Sequence, residues 1–115
     1  MSIKRIEAII RPEKLEPLRL QLQQVGYPGM MVTSMEGHGK QRGLVQQWRG
    51  IKFNTYFLDK VKVELVVTSR QLKKVIGAIM AACSSGQAGD GKIFISDVHE
   101  VIRIRTKERG EKAVG

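Results

Sequence analysis

The 115-residue sequence predicts an α+β domain in which one antiparallel sheet is backed by two helices. Three observations lead there. Apolar residues alternate at strand spacing in four stretches, two stretches at helical spacing lie between them in the order βαββαβ, and Gly, Pro or capping residues punctuate the joins.

The first stretch, residues 3–11 ("IKRIEAIIR"), alternates through Ile6, Ala8 and Ile10 and is stopped by Pro12. In "EKLEPLRLQLQQVG", Leu15, Leu18, Leu22 and Val25 recur at helical spacing, Pro17 fits only a first turn, and Gly26 stands where a C-terminal cap is expected. "MMVTSMEG" reads as a second strand. "KVKVELVV" places Val61, Val63, Leu65 and Val67 on one face of a third. Thr68 and Gln71 have capping-box spacing, and behind them Leu72, Val75, Ile76, Ile79, Met80 and Cys83 form one apolar stripe. After a glycine-rich turn, "KIFISDVHEVIRIR" is extended again. This order is that of a ferredoxin-like sheet with both helices on one face.

The length suits one domain, with no linker or repeat, that buries roughly two thirds of its unfolded surface. The single cysteine, Cys83, excludes an intrachain disulfide and a four-cysteine zinc site, and its place on the helix stripe suits a buried thiol. His38 and His99 lack ligand spacing. No apolar run approaches the ~18 residues of a membrane span, so a soluble, cytoplasmic protein is expected. Twenty Lys and Arg against eleven Asp and Glu give a net charge of +9, which attracts anions without choosing among nucleic acid, phospholipid and nucleotide. Residues 107–115 read as a flexible polar tail.

Two features depart from a minimal sheet. The connection of about twenty residues, 38–57, between the second and third strands fits neither period, and holds Trp48, Phe53, Tyr56 and Phe57 beside Arg42, Arg49 and Lys52. Connections of that length in small domains are usually functional, and aromatics with arginine favour a partner. The second is "SSGQAGDGKIFISD", which has P-loop spacing from Gly86 to Lys92 but Ile93 where a magnesium-binding hydroxyl belongs. A P-loop runs from strand to helix; here a helix precedes and a strand follows. What remains is "GDGK", whose glycines allow an anion-binding nest beside Lys92. Strand alternation in "VIRIR" puts the forked donors Arg103 and Arg105 on one face. Each piece alone also fits a plain turn or a solvated edge strand; together they favour phosphate.

Through "GHGKQRG", "WRG", "VKVELVV", "SGQAGDGKIFISDV" and "VIRIRT", in register without a gap, the chain resembles the PII nitrogen-regulatory signal proteins over nearly its whole length. The resemblance implies a homotrimer whose sheets face inward, with ATP or ADP in clefts between subunits and a T-loop, here residues 38–57, that reaches target proteins. It implies that the backbone of Gly89, Asp90 and Gly91, in the turn 84–91, and the side chains of Lys92, Arg103 and Arg105 hold the phosphates. Lys40 stands where an arginine is usual. Glu64 and the backbone of Leu65 and Val66 match the adenine-contacting segment, and Gly37 and Gly39 match the T-loop root. Gln41 and Lys60 match the 2-oxoglutarate site, where a Mg2+ ion needs an oxygen donor such as the Gln41 amide and the distal carboxylate needs a cation such as Lys60. Arg49, between Trp48 and Gly50, is the expected anchor on a target such as an ammonium channel, a metabolic enzyme or a transcriptional regulator.

The chain departs from the family pattern at several positions. Phe53 occupies the position of the uridylylated tyrosine and Ile51 that of a serine phosphorylated in cyanobacterial relatives, so no modification is expected at either. Met31 replaces a threonine near the base and His38 a common aromatic, which bears on nucleotide preference. A basic RNA-recognition module shares the element order, but it needs aromatics in its central strands and "VKVELVV" has none. A nucleotide hydrolase needs a positioned water activator; Glu64, Asp90 and Asp97 fit better as partners of basic residues. The expectation is a sensor that is not an enzyme, contacts no nucleic acid directly and reaches membranes only through a protein partner.

Overall fold

In β1 (Ile3–Ile10) every second side chain from Ile6 to Ile10 is buried, and the same holds from Val61 to Val67 in β5 (Phe57–Thr68). A strand buries one face in this way when helices cover that face alone. A computed structural model describes residues 2–27, 29–38, 45–48, 51–54 and 57–115, with side chains outside 36–59 only. The remaining elements are α1 (Leu15–Gln24), β2 (Met31–His38), β3 (Val45–Trp48), β4 (Ile51–Asn54), α2 (Ser69–Cys83) and β6 (Lys92–Val98). Strands β2, β5, β1 and β6 form one antiparallel sheet in that order, the ferredoxin-like arrangement expected. Ile6, Ala8, Val63, Leu18, Leu22, Val75 and Ile79 meet in the core between sheet and helices.

Local chemistry sets the helix ends. A 3-10 turn, Pro12–Lys14, leads into α1, so Pro17 falls in the first turn, where its missing N–H has no intrahelical acceptor to lose. Past the C-terminus Gly26 adopts φ +89°, and its N–H and that of Tyr27 donate to the carbonyls of Gln23 and Leu22 at 3.1 and 2.8 Å. This is a Schellman cap, and the Tyr27 ring packs back on the core. At the start of α2, Gln71 accepts from the Thr68 N–H at 3.0 Å, closing the expected capping box.

Three local expectations change. Residues 45–48 and 51–54 of the long connection pair as a two-stranded ribbon, which escapes a pattern search because each strand is only four residues long and "VQQW" does not alternate. Met80 is 56% exposed, and Ala78 takes the buried place on α2 that the stripe assigned to it. The last strand ends at Val98, well before Arg105. Among the described residues its only neighbour is β1, and Val98 pairs with Ile3 at the first residue of that strand. With no partner left, the chain turns on itself: Ile102 bridges Arg109, the Lys107 N–H donates to the Arg103 carbonyl at 2.8 Å, and Lys107 takes φ +63°. Residues 110–113 then form a 3-10 turn.

Candidate functional site

The glycine-rich turn between α2 and β6 is organised around Asp90. Its carboxylate accepts from the Ser85 hydroxyl, from the Ser85 N–H at 2.8 Å and from the Gly86 N–H at 3.0 Å, and the Arg11 guanidinium approaches at 3.4 Å. The Ser85 hydroxyl and then the Ser85 N–H, joined by Gly86 and Arg11, hold the Asp90 carboxyl down at about 2. The Asp90 carboxylate thus takes the N–H groups at the start of the turn, Ser85 and Gly86, and not those of Gly89 to Gly91 where the nest is expected. Gly86, Gly89 and Gly91 take φ +79°, +94° and +103°, conformations that side chains disfavour. At Gly91 there is a second reason for glycine: a Cβ would lie 1.6 Å from the Ile9 carbonyl oxygen.

Two cations turn the carbonyls of this turn toward the protein. Arg11 donates to the Ala88 carbonyl at 2.6 Å and Lys60 to that of Gly89 at 2.5 Å. Lys60 makes no ion pair among the described residues. Its pKa is lowered by burial first and by the neighbouring charge of Arg11 second, so the spot favours an incoming anion. Arg11 was not legible in the sequence, because it lies 79 residues from Asp90 and only the β1–β6 pairing brings the two together. Lys92 opens β6, exposed, opposite Ile9. A pocket of about 280 Å³ beside the turn is lined by Ile9, Met80, Cys83, Asp90 and Lys92. Burial pushes the Cys83 thiol up, consistent with a packed, unreactive group.

The remaining residues gather elsewhere. Lys92 and Val98 are six strand steps apart, about 20 Å. Beyond Val98, Arg103 donates to Glu108 at 2.7 Å and to the carbonyls of Lys112 and Gly115 at 3.1 and 2.6 Å. Leu65, Val66 and Thr68 of β5, with Tyr27 and Gly29, line a pocket of about 610 Å³ that Val114 and Gly115 also border. Leu65 itself is in the core, so only its backbone could serve a ligand, and Glu64 lies 3.3 Å from Lys62. Arg105 is exposed in the turn after Arg103, so the two do not share a strand face. The expected site thus divides: Lys60, Gly89, Asp90, Gly91 and Lys92 at one end of the sheet, and Glu64, Leu65, Val66 and Arg103 toward the other. Gly37 ends up in β2 opposite Leu58. Gly39, Lys40, Gln41 and Arg49 lie outside the described residues, and so does the side chain of Phe53.

On the helix-free face the two central strands, β1 and β5, speak against an RNA-recognition module. On β1 and on β5 from Lys62 to Val66 this face carries Arg5, Glu7, Ile9, Lys62, Glu64 and Val66, with Arg5–Glu7 at 2.9 Å and Lys62–Glu64 at 3.3 Å. These central strands offer bases no aromatic platform, and their cations are already paired. Among the described residues no three His, Cys, Asp or Glu side chains are placed to hold a metal, and no helix is long and apolar enough to cross a membrane.

A ferredoxin-like sheet with a glycine turn braced by Arg11 and Lys60 defines a small α+β domain with a basic corner suited to an anion. The model of the Nitrogen regulatory protein P-II family matches residues 3–108, and the chain belongs to this family of signal-transduction regulators. It is 49% identical over 112 residues to the Nitrogen regulatory protein P-II of Pasteurella multocida, covering 97% of this chain and all of that one. The protein of the same name from Rhizobium meliloti is 48% identical, again over 97% of this chain and all of its own. Among solved structures, Arabidopsis thaliana PII bound to citrate superposes with a TM-score of 0.78 at 37% identity, over 97% of this chain and 89% of that one. Members of the family bind small-molecule effectors and act on target proteins in nitrogen regulation.

Proposed function

We propose that this chain is a homotrimeric, cytoplasmic sensor that binds ATP or ADP competitively, takes up 2-oxoglutarate with Mg2+ and ATP, and uses the T-loop to regulate a target of nitrogen or linked carbon metabolism. The separation of the two half-sites carries the reading. Lys60 and the Gly89–Lys92 turn stand at one end of the sheet and Arg103 beyond the other, so a single copy cannot close one phosphate site; two copies side by side can supply one half each. Met31, Met35 and Phe94, exposed on the helix-free face, supply apolar surface for such packing.

The donors fit the proposed ligands. Lys92, Arg103 and Arg105 would take phosphate oxygens, with the Gly89–Gly91 backbone beside them, while the backbone of Leu65 and Val66 and the Glu64 side chain would meet the adenine. A magnesium ion here would draw its oxygens from the nucleotide and from Gln41, which suits a site whose described residues form no carboxylate cluster, and it would neutralise phosphate charge. Lys60, desolvated and without a carboxylate partner among the described residues, suits the distal carboxylate of 2-oxoglutarate. Gly37, Gly39 and Lys40, at the root of the loop, would add to the nucleotide site, and Arg49 would make the loop's contact with an ammonium channel, a metabolic enzyme or a transcriptional regulator.

Calorimetric titration of the whole chain with ATP, ADP and 2-oxoglutarate, each with magnesium, tests the reading. ATP and ADP should compete, and 2-oxoglutarate should bind only when ATP is present. Arg103→Ala or Lys92→Ala should weaken both nucleotides by about 1.5–3 kcal/mol each, the range for a hydrogen bond to a charged group. Unchanged nucleotide binding in both variants would sink the assignment.

A further inference from the structure

Resting on the nucleotide reading above, we propose that segment 108–115 is a built-in competitor for that ligand, a strap that engages Arg103, borders the adjoining pocket and must be displaced for the nucleotide to bind. Two observations carry it independently. The first is the state of Arg103. Its Nη1 donates to the Glu108 carboxylate at 2.7 Å, and its Nη2 donates to the Gly115 and Lys112 carbonyls at 2.6 and 3.1 Å. The fork that would grip a phosphate is already engaged by one carboxylate and two backbone oxygens. Glu108 is itself positioned, accepting from the Thr106 hydroxyl at 2.8 Å, while the Arg103 N–H donates to the Glu108 carbonyl at 2.9 Å.

The second is the pocket of about 610 Å³. Leu65 and Val66 contribute to its lining, and so do Glu111, Val114 and Gly115 of the same segment. One stretch of chain therefore narrows the space beside the proposed adenine backbone and blocks the proposed phosphate donor. Its outer fastening is Arg70 to Glu111 at 2.7 Å, with the two side chains 70% and 42% exposed. Solvated pairs of that kind hold weakly and reversibly. A di- or triphosphate brings more charge to a guanidinium than the single Glu108 carboxylate and the Lys112 and Gly115 oxygens it would replace, so it should displace them. The strap then lowers apparent affinity by the fraction of time it is closed, and ligand binding opens it by the reciprocal of that coupling.

The test compares the full chain with a chain lacking residues 111–115 and with Glu108→Gln, titrating each with ADP by calorimetry. Amide exchange across 108–115 is followed in the full chain with and without ADP. Removing 111–115 should tighten ADP about tenfold and Glu108→Gln about threefold, since each deletes hydrogen bonds to a charged group that the ligand must break. Bound ADP should speed exchange at 108–115 while leaving β1 and β5 protected. If ADP binds all three chains with equal affinity and exchange in the segment is unaltered, the strap is refuted and the nucleotide site stands. If ADP binds none of them, the strap and the nucleotide reading fall together. Should the shortened chain fail to fold, Glu108→Gln and the exchange experiment on the full chain decide the matter.

Discussion

Substituting Gly91 with alanine separates two demands that the glycine turn places on its backbone. The first is conformational: at φ +103° a side chain strains the chain by about 1–2 kcal/mol. The second is steric. The added Cβ would sit 1.6 Å from the Ile9 carbonyl oxygen and 2.8 Å from its carbon, both backbone atoms that no rotamer change can move. Reaching an ordinary contact near 3.4 Å requires the strands to part by roughly 1.8 Å, where β6 begins its pairing with β1 at Ile9 and Lys92. Losing one or two ladder hydrogen bonds there costs about 0.5–1.5 kcal/mol each. The expected total for Gly91→Ala is therefore about 1.5–5 kcal/mol. Gly86→Ala is the control: its φ is +79°, but nothing lies within 4 Å of the added Cβ, so only the conformational part of about 1–2 kcal/mol remains. Urea unfolding at one fixed protein concentration measures both. Equal destabilisation by the two substitutions would show that the close approach of Gly91 to β1 does not govern the turn.

Two further outcomes are expected. Asp90 is held at about 2 against an ordinary 3.8, so its carboxylate contributes stability that is fully present above pH 3.8 and is lost as the pH falls through about 2; Asp90→Asn should flatten this part of the acid-unfolding curve and leave the neutral region parallel to that of the parent. Gly77, exposed within α2 with nothing within 4 Å of an added Cβ, should become a better helix residue as alanine, raising stability by about 0.8–1 kcal/mol in the same urea titration; a loss of stability would contradict the helical placement.

Much of this protein is written in short-range patterns. Val61, Val63, Leu65 and Val67 alternate because a sheet with helices on one face buries every second residue. Gly26, Thr68 and Gln71 mark helix ends because a cap is satisfied by residues within a few positions of it. The turn "GDGK" was also visible, since glycines in close succession beside a lysine are a local signal. Tertiary structure alone decided where these pieces stand relative to one another. Arg11 reaches Asp90 and Lys60 reaches Gly89 across 79 and 29 residues, through strand pairings that no local periodicity encodes. Arg103 and Arg105 alternate in the sequence as strand residues do, yet β6 stops at Val98, opposite Ile3 where β1 begins, and the Ser2 carbonyl accepts from the Ser69 N–H instead. A strand exists only while a neighbour accepts its hydrogen bonds, so the end of one strand is set by the beginning of another, far away in the chain.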